Sequence, residues 1–100
     1  MKEFDLFVPL FSNDGKRLPR AGLARVKKRL IKKFGGLTHF PQKSKGTWKV
    51  GAATFVDDIV ILRVLSEKDT KDFWKKLKAD LQREWKQKNI LIVVRKVSLV

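Results

Sequence analysis

Alternation of apolar and polar residues predicts four β-strands. Residues 4–11, FDLFVPLF, place one apolar set on one face of the first strand and a mixed set on the other. Pro9 has no N–H to donate to a strand ladder, so it should lie near a strand end or a bulge. Three more strands are predicted at residues 47–55, 59–65 and 90–99.

Apolar residues at helical spacing predict two helices between these strands. The first helix covers residues 19–34, and Gly35 fits the left-handed residue that follows a helix end. Its apolar stripe consists of Leu23, Val26, Leu30, Ile31 and Phe34. The second helix begins after Ser66, which stands three residues before Asp69, and runs to about Lys88. Its stripe consists of Phe73, Trp74, Leu77, Leu81 and Trp85.

Turn-forming residues separate the predicted elements. Residues 12–18 form a loop around Asn13-Asp14-Gly15, residues 41–46 form a second loop, and Val56-Asp57-Asp58 form a tight turn. The resulting order is β-α-β-β-α-β. It predicts an α+β fold, the ferredoxin-like plait, with a four-stranded antiparallel sheet and both helices on one face. Residues 1–100 form a single domain, and the first strand lies between the third and the fourth.

The sheet face without helices should be apolar as well. Leu91, Val93, Val97 and Leu99 alternate with Ile90, Ile92 and Val94, and residues 59–65 are apolar on both sides. An antiparallel sheet with one face in water normally alternates apolar and polar residues. The pattern therefore predicts that a second copy of the chain covers this face and forms a homodimer.

Charge is concentrated in one part of the sequence. The chain has a net charge of +14, and residues 16–56 contain twelve Lys or Arg residues and no Asp or Glu. A block of one sign repels itself, and phosphate is the most common partner of such a block. We therefore expect a small nucleic-acid-binding module that contacts DNA or RNA backbone phosphates largely independently of sequence. The expected contact residues are Lys16, Arg17, Arg20, Arg25, Lys28, Arg29, Lys32, Lys33, Lys43, Lys45 and Lys49.

Two other functions compete with nucleic-acid binding. The chain could be a protein-interaction or assembly subunit without catalytic activity that binds an acidic protein through its apolar sheet face and its basic helix. It could also be a metal-dependent ribonuclease of the ferredoxin-like type that uses Asp5, Asp14, Asp57 or Asp58, because hard cations prefer carboxylate oxygens.

The stretch FGGLTHF, residues 34–40, contains the single histidine and two adjacent glycines. Glycine loops that bind phosphate precede a helix, whereas Gly35 and Gly36 follow one, so a phosphate loop is excluded. His39 has no second histidine or cysteine with which to share a metal, and we expect no cofactor. The chain lacks cysteine, which excludes disulfides and thiolate metal sites. It has no 18-residue apolar run, so we expect no membrane span. The N-terminal stretch MKEFDLFVPLF is typical of a strand and not of a signal peptide, so we expect a cytoplasmic location.

Four stretches, FDLFVPLFSNDGK, FGGLTHF, KGTWKVG and DDIVILRV, resemble a family of small uncharacterised bacterial proteins. Those proteins share an FGG-Thr turn followed by a G-x-W strand, and the resemblance covers roughly residues 1–65. It implies a plait-like fold with framework roles for Gly35, Gly36, Thr38 and Trp48, and it implies no particular activity.

Overall fold

The computed structural model describes residues 1–12 and 14–100, apart from the side chains of Trp48 and Val50. The elements follow in the order β1 (Lys2–Pro9), α1 (Arg20–Phe34), β2 (Thr38–Val50), β3 (Ala53–Ser66), α2 (Lys71–Glu84) and β4 (Ile92–Lys96). The strands form one antiparallel sheet in the order β2-β3-β1-β4. The predicted α+β ferredoxin-like plait is confirmed, including the position of β1 between β3 and β4.

The hydrophobic core lies between the helices and one face of the sheet. Antiparallel register pairs Phe4 with Val64 and Leu6 with Leu62, so the apolar side chains of β1 and β3 point to the same face. The buried cluster on this side comprises Phe4, Leu6, Val8, Val26, Leu30, Val60, Leu62, Val64, Trp74, Leu77, Leu81, Trp85 and Ile90. Both helices cover this face, which leaves the opposite face of the sheet, called the open face below, without a helix among the described residues.

Helix α1 follows the predicted apolar pattern with one exception. Val26 and Leu30 are buried, whereas Ile31 has an exposed fraction of 48% and lies outside the stripe in which it was predicted. At 100° per residue, Ile31 is rotated by 100° from Leu30, which turns it away from the sheet. The helix ends at Phe34, and Gly35 has a φ of 84° with its N–H bonded to the carbonyl of Ile31. The predicted left-handed helix end is confirmed.

Replacing Gly35 by alanine should lower the free energy of unfolding by about 1 kcal/mol, because a Cβ is disfavoured in the left-handed region. Nothing lies within 4 Å of the added Cβ, so the cost is conformational and not steric. Urea titration of the variant measures it. Gly36 is the matched control, because it is equally open but has no positive φ. An equal loss for Gly36→Ala would contradict the explanation.

The hairpin between β2 and β3 is much longer than predicted. The predicted loop at residues 41–46 lies within β2, where the pairing register shifts between Phe40 and Ser44. The predicted turn at residues 56–58 is wrong, since Asp57 and Asp58 pair with Gly46 and Lys45 inside β3. Gly51, with a φ of 62°, makes the real turn because glycine tolerates this conformation.

Residues 45–58, here called the hairpin arm, extend past the rest of the sheet. Ile59 pairs with Ser44 on one side and with Pro9 on the other, and Pro9 is the last residue of β1. The carbonyl of Asp58 still accepts the N–H of Leu10 at 2.9 Å. Beyond Asp58, β2 and β3 have only each other as strand partners among the described residues. The location of Pro9 at the strand end agrees with the prediction, because proline cannot continue the ladder.

Other boundaries differ by a few residues. Helix α2 begins after Thr70 and ends at Glu84, and β4 is shorter than the predicted strand at residues 90–99. In the loop before α1, Asn13 of the predicted turn lies outside the described residues, while Gly15 has a φ of 84°. No helix in the described part of the chain is long and apolar enough to cross a membrane.

The open face departs from the sequence analysis in its centre. Phe7, Ile61 and Val93 lie on it as predicted, but Asp5 pairs in register with Arg63 on the same face. The face is therefore an apolar surface around a charged centre, and the prediction that the strands are apolar on both sides holds only for its rim.

Candidate functional site

The predicted basic residues lie on three parts of the fold. Lys16 and Arg17 belong to the loop before α1, and Lys43, Lys45 and Lys49 belong to β2. Those on α1 are Arg20, Arg25, Lys28, Arg29, Lys32 and Lys33. The structure brings only the α1 group together at successive helical turns.

The basic side chains of α1 point in two directions, some into solvent and some toward α2. Arg25, Lys28 and Lys32 are exposed and form no ion pair within the described residues. Arg29 points toward α2, where its Nη1 donates to Asp80 Oδ2 at 3.0 Å. Lys33 also turns toward α2, and its Nζ lies 5.6 Å from the ring centroid of Phe73. The predicted stripe is thus narrower than the sequence indicates.

The strongest arrangement of functional groups lies at the centre of the open face. We call it the Asp5 cluster, and it consists of Glu3, Asp5, Arg63 and Arg95. In strand register Asp5 faces Arg63 of β3, and Glu3 faces Arg95 of β4. Residues at alternate strand positions share a face, so three strands deliver these four side chains to one place.

The geometry within the Asp5 cluster is that of paired guanidinium and carboxylate groups. Arg63 donates from Nε to Asp5 Oδ1 at 2.8 Å and from Nη2 to Oδ2 at 3.0 Å, a bidentate pair. Arg95 Nη1 donates to Asp5 Oδ2 at 2.9 Å and to Glu3 Oε2 at 2.7 Å. Arg63 Nε also lies 3.2 Å from Glu3 Oε1. The guanidinium groups therefore hold both carboxylates in fixed orientations.

Burial and charge set the protonation of the Asp5 cluster. Asp5 is only 2% exposed, yet the hydrogen bonds from Arg63, and then those from Arg95, lower the pKa of its carboxyl below the ordinary 3.8. The same contacts raise the pKa values of both arginines. All three groups are charged at neutral pH. A carboxylate with a lowered pKa is a weak base, so Asp5 is suited to holding cations in place and not to removing protons.

An aromatic ring lies beside the Asp5 cluster. The guanidinium carbon of Arg63 is 4.9 Å from the ring centroid of Phe40, whose exposed fraction is 39%. Phe40 pairs with Ile61, so both side chains lie on the open face next to the charged groups. The site thus combines guanidinium donors, carboxylate acceptors and an exposed aromatic surface. Such a set can bind a small molecule that carries opposite charges and a flat ring.

The acids considered for a metal site do not converge. Asp57 is six residues from Arg63 along β3, which places it about 20 Å from Asp5 at about 3.4 Å per residue. Asp58 lies 3.7 Å from Lys45, and Asp14 accepts hydrogen bonds in its own loop. Among the described residues no three His, Cys, Asp or Glu side chains are grouped to hold a metal ion.

His39 lies on the helix side of the sheet. Its Nδ1 is 3.3 Å from Lys27 Nζ, and its buried Nε2 has no hydrogen-bond partner within the described residues. Burial, and then the charge of Lys27, lower the pKa of His39 below 6.5. The ring is therefore neutral at physiological pH and is remote from the Asp5 cluster.

Two shallow cavities lie elsewhere in the described structure. One, of about 380 Å³, is lined by Lys33 and by residues 69–73 at the start of α2. The other, of about 210 Å³, lies between the loop before α1 and the end of α2, around Trp85. Neither is lined by a residue of the Asp5 cluster.

Sequence reasoning named Asp5 but missed Glu3, Arg63 and Arg95. Their signal is present in the pattern: a charged residue interrupts each of the apolar segments 4–8, 59–65 and 90–94 or follows it directly. Recognising them as one cluster requires the strand register, because Asp5 and Arg95 are 90 residues apart.

No family model matches the chain, and no curated protein matches it. Among solved structures, the chain resembles a phage SAM lyase in complex with S-methyl-5′-thioadenosine, with a TM-score of 0.63 and 15% sequence identity. The alignment covers 95% of this chain and 80% of that chain. At this identity the likeness establishes the shared fold.

The function predicted from the sequence is wrong. The matching structure is that of an enzyme with a small-molecule ligand, and the comparisons bring no support for nucleic-acid binding. The prediction of a nucleic-acid-binding module is therefore not retained, nor are its two alternatives, a subunit without catalytic activity and a metal-dependent ribonuclease. The physical reason is that a high charge density attracts any polyanion and does not by itself specify a ligand.

Proposed function

We propose that this chain is an enzyme subunit with lyase activity on a sulfonium nucleoside of the SAM type, and that the Asp5 cluster binds the charged end of the substrate. The observation that carries the proposal is the pair of guanidinium groups fixed by a nearly buried carboxylate at the centre of the open face. The likeness to a SAM lyase supports the choice of SAM as the ligand, because the charged groups of SAM match those of the Asp5 cluster.

The chemistry of this substrate explains what each group would do. SAM carries an amino acid end with an ammonium and a carboxylate group, a sulfonium centre and an adenosine. The donors of Arg63 and Arg95 that remain outside the cluster suit the carboxylate, and the ring of Phe40 suits stacking with adenine. Glu3 is an acceptor for the ammonium group. Asp5 acts as a positioning residue, since its bonds to Arg63 and Arg95 orient both guanidinium groups and its lowered pKa makes it a weak base.

The apolar side chains at the rim of the open face would favour the step that breaks the carbon–sulfur bond. A lyase that forms S-methyl-5′-thioadenosine breaks one carbon–sulfur bond, and sulfur takes both electrons and becomes a neutral thioether. The carbon that loses sulfur either forms a double bond to its neighbour, whose proton passes to water, or forms a new C–O bond to the substrate's own carboxylate. Because the positive charge on sulfur disappears, an apolar environment favours the product side over the charged substrate. Phe7, Ile61 and Val93 provide such an environment.

Replacing Arg95 by glutamine should weaken SAM binding at least tenfold, because a charge-assisted contact to the carboxylate is lost. Binding of S-methyl-5′-thioadenosine should change much less, since that molecule has no carboxylate. Isothermal titration calorimetry with both nucleosides gives the two affinities. Chromatographic detection of S-methyl-5′-thioadenosine formed from SAM gives the activity.

Arg29→Gln is the matched control for this experiment. Arg29 also pairs with a carboxylate at 3.0 Å and has a side-chain exposure of 37%, against 47% for Arg95, but it lies on the helix side. Its replacement should leave both affinities unchanged. The proposal fails if the unaltered chain binds neither nucleoside at millimolar concentration, or if both variants lose SAM binding equally.

A further inference from the structure

The charges of this protein are distributed unequally between the two sides of its sheet. Strand register places on the open face three carboxylates and two guanidinium groups, those of Glu3, Asp5, Asp57, Arg63 and Arg95. Their net charge is −1, while the whole chain carries +14. The residues that give the chain its excess of positive charge therefore do not lie at the regular strand positions of the open face.

The same face also exposes apolar side chains. Leu65 is 43% exposed and Phe40 is 39% exposed. Phe40 pairs with Ile61 beside Phe7, whereas Leu65 pairs with Glu3 on the other side of the charged centre. No helix of the described part covers them, because α1 and α2 pack on the opposite side. A large apolar patch on a small protein usually marks an interaction surface.

We propose that a second copy of this chain covers the open face, so that two sheets pack face to face. The inference rests on the polarity and charge of the face and does not depend on the ligand proposed above. Contact through α1 would bring together two helices that each carry seven Lys or Arg residues and no acid, whereas the open faces meet with almost no net charge. An acidic protein partner would instead be drawn to the basic helix side.

In such a pair the basic helices of the two copies are too far apart to repel each other strongly. Packed sheets lie about 10 Å apart, and each helix layer lies about 10 Å outside its own sheet, so the helix layers are about 30 Å apart. That is roughly four Debye lengths at physiological salt. The flat area of the four strands is about 600 Å² per copy at about 4.8 Å between strands. This is of the order of the roughly 800 Å² of accessible surface that specific dimers bury per partner.

The Asp5 cluster would lie inside this interface, with Arg95 as its member on an outer strand. Arg95 belongs to β4, which is the outermost strand on its side of the sheet. A small molecule could therefore still reach the cluster from the β4 edge. The second copy would add a further apolar wall to the one that Phe7, Ile61 and Val93 provide in a single chain.

Sedimentation velocity over about 1 to 100 μM protein in physiological salt tests the proposal without any ligand. The expected species has twice the chain mass of 11.6 kDa. Leu65→Lys should raise the dissociation constant at least tenfold and shift the protein to monomer, because it places a cation in an apolar contact. Ile31→Lys is the matched control: Ile31 is 48% exposed on α1, and its replacement should leave the dimer intact.

Circular dichroism establishes that each variant is folded, and Phe40→Ser replaces Leu65→Lys if the latter is not. A monomer at every concentration of the unaltered chain would overturn the inference, as would a species of three or more copies. Dissociation by Ile31→Lys but not by Leu65→Lys would place the contact on α1 and would also overturn it. Because no nucleoside is present, failure here leaves the binding test of the proposed function standing.

Discussion

Replacing Trp74 by alanine should lower the free energy of unfolding by about 4 kcal/mol, the cost of removing a large aromatic side chain from a packed core. Trp74 is 4% exposed, and its ring stacks on Phe4 at 4.8 Å and on Phe34 at 5.5 Å. Phe73 meets it edge-on at 5.5 Å. Its indole Nε1 donates to Thr70 Oγ1 at 3.1 Å. One side chain thus joins β1, α1 and α2.

The loss is large relative to the stability of a chain of this length. Domains of this size unfold with about 5–15 kcal/mol, and about 4 kcal/mol corresponds to a fall in Tm of roughly 20 °C. Urea titration and thermal unfolding both measure it. Phe55→Ala is the matched control, because Phe55 lies on the hairpin arm and is 48% exposed. If Phe55→Ala were as costly as Trp74→Ala, the aromatic stack would not be the structural link between the elements.

The part of the fold that the sequence predicts is the part that depends on local periodicity. Val26 and Leu30 of α1, and Leu77 and Leu81 of α2, recur at helical spacing and are buried. The apolar run at residues 59–65 is in the centre of the sheet, as its composition predicts. Element order together with right-handed connections then leaves few topologies, and the strand order follows.

The hairpin was not predictable from local preferences. Pro41 and Gly46 indicate a loop, and the double aspartate at residues 57–58 indicates a turn. In the structure these segments pair with each other, since the positive φ of Gly51 fixes the reversal and the register follows from it. Pro41 is tolerated because β2 is an edge strand that needs no partner on its outer side. Non-local pairing therefore overrides the turn preference.

The candidate site was also missed because it depends on contacts between distant parts of the sequence. A run of lysines and arginines is visible in the sequence, so charge density drew the prediction to α1. The Asp5 cluster does not form a continuous charged segment in the sequence, because its members are single charged residues in three strands. Asp5 was identified as chemically notable, but its hydrogen bonds to Arg63 and Arg95 cannot be recognised from the isolated residue.

Replacing Asp5 by alanine should lower the free energy of unfolding by about 2–3 kcal/mol at neutral pH. Removing one member of a buried ion pair commonly costs about 3–5 kcal/mol. The smaller figure applies here because Arg63 and Arg95 have side-chain exposures of 35% and 47%, so water can solvate them after the carboxylate is lost. The two cations would then face each other with only Glu3 between them. Urea titration gives the difference.

The pH dependence of this loss has a definite sign. The folded-state pKa of Asp5 lies below its ordinary value of 3.8. A carboxyl with a lowered pKa stabilises the fold above its unfolded-state pKa, and this stabilisation is lost as the pH falls through the folded-state value. The difference between the unaltered chain and Asp5→Ala should therefore be constant from about pH 7 to about pH 5. Below about pH 4 it should shrink.

Asp80→Ala tests whether this stabilisation is specific to Asp5 on the open face or is produced by any aspartate that is paired with arginine. Asp80 contacts Arg29 at 3.0 Å and Arg83 at 3.2 Å, and these contacts also lower the pKa of its carboxyl. Its side chain is 16% exposed, against 2% for Asp5, and it lies on a surface helix. Water screens its ion pairs, so its replacement should cost clearly less than that of Asp5. Equal losses, or a difference for Asp5→Ala that does not shrink in acid, would show that burial of Asp5 between two arginines is not what stabilises the centre of the sheet.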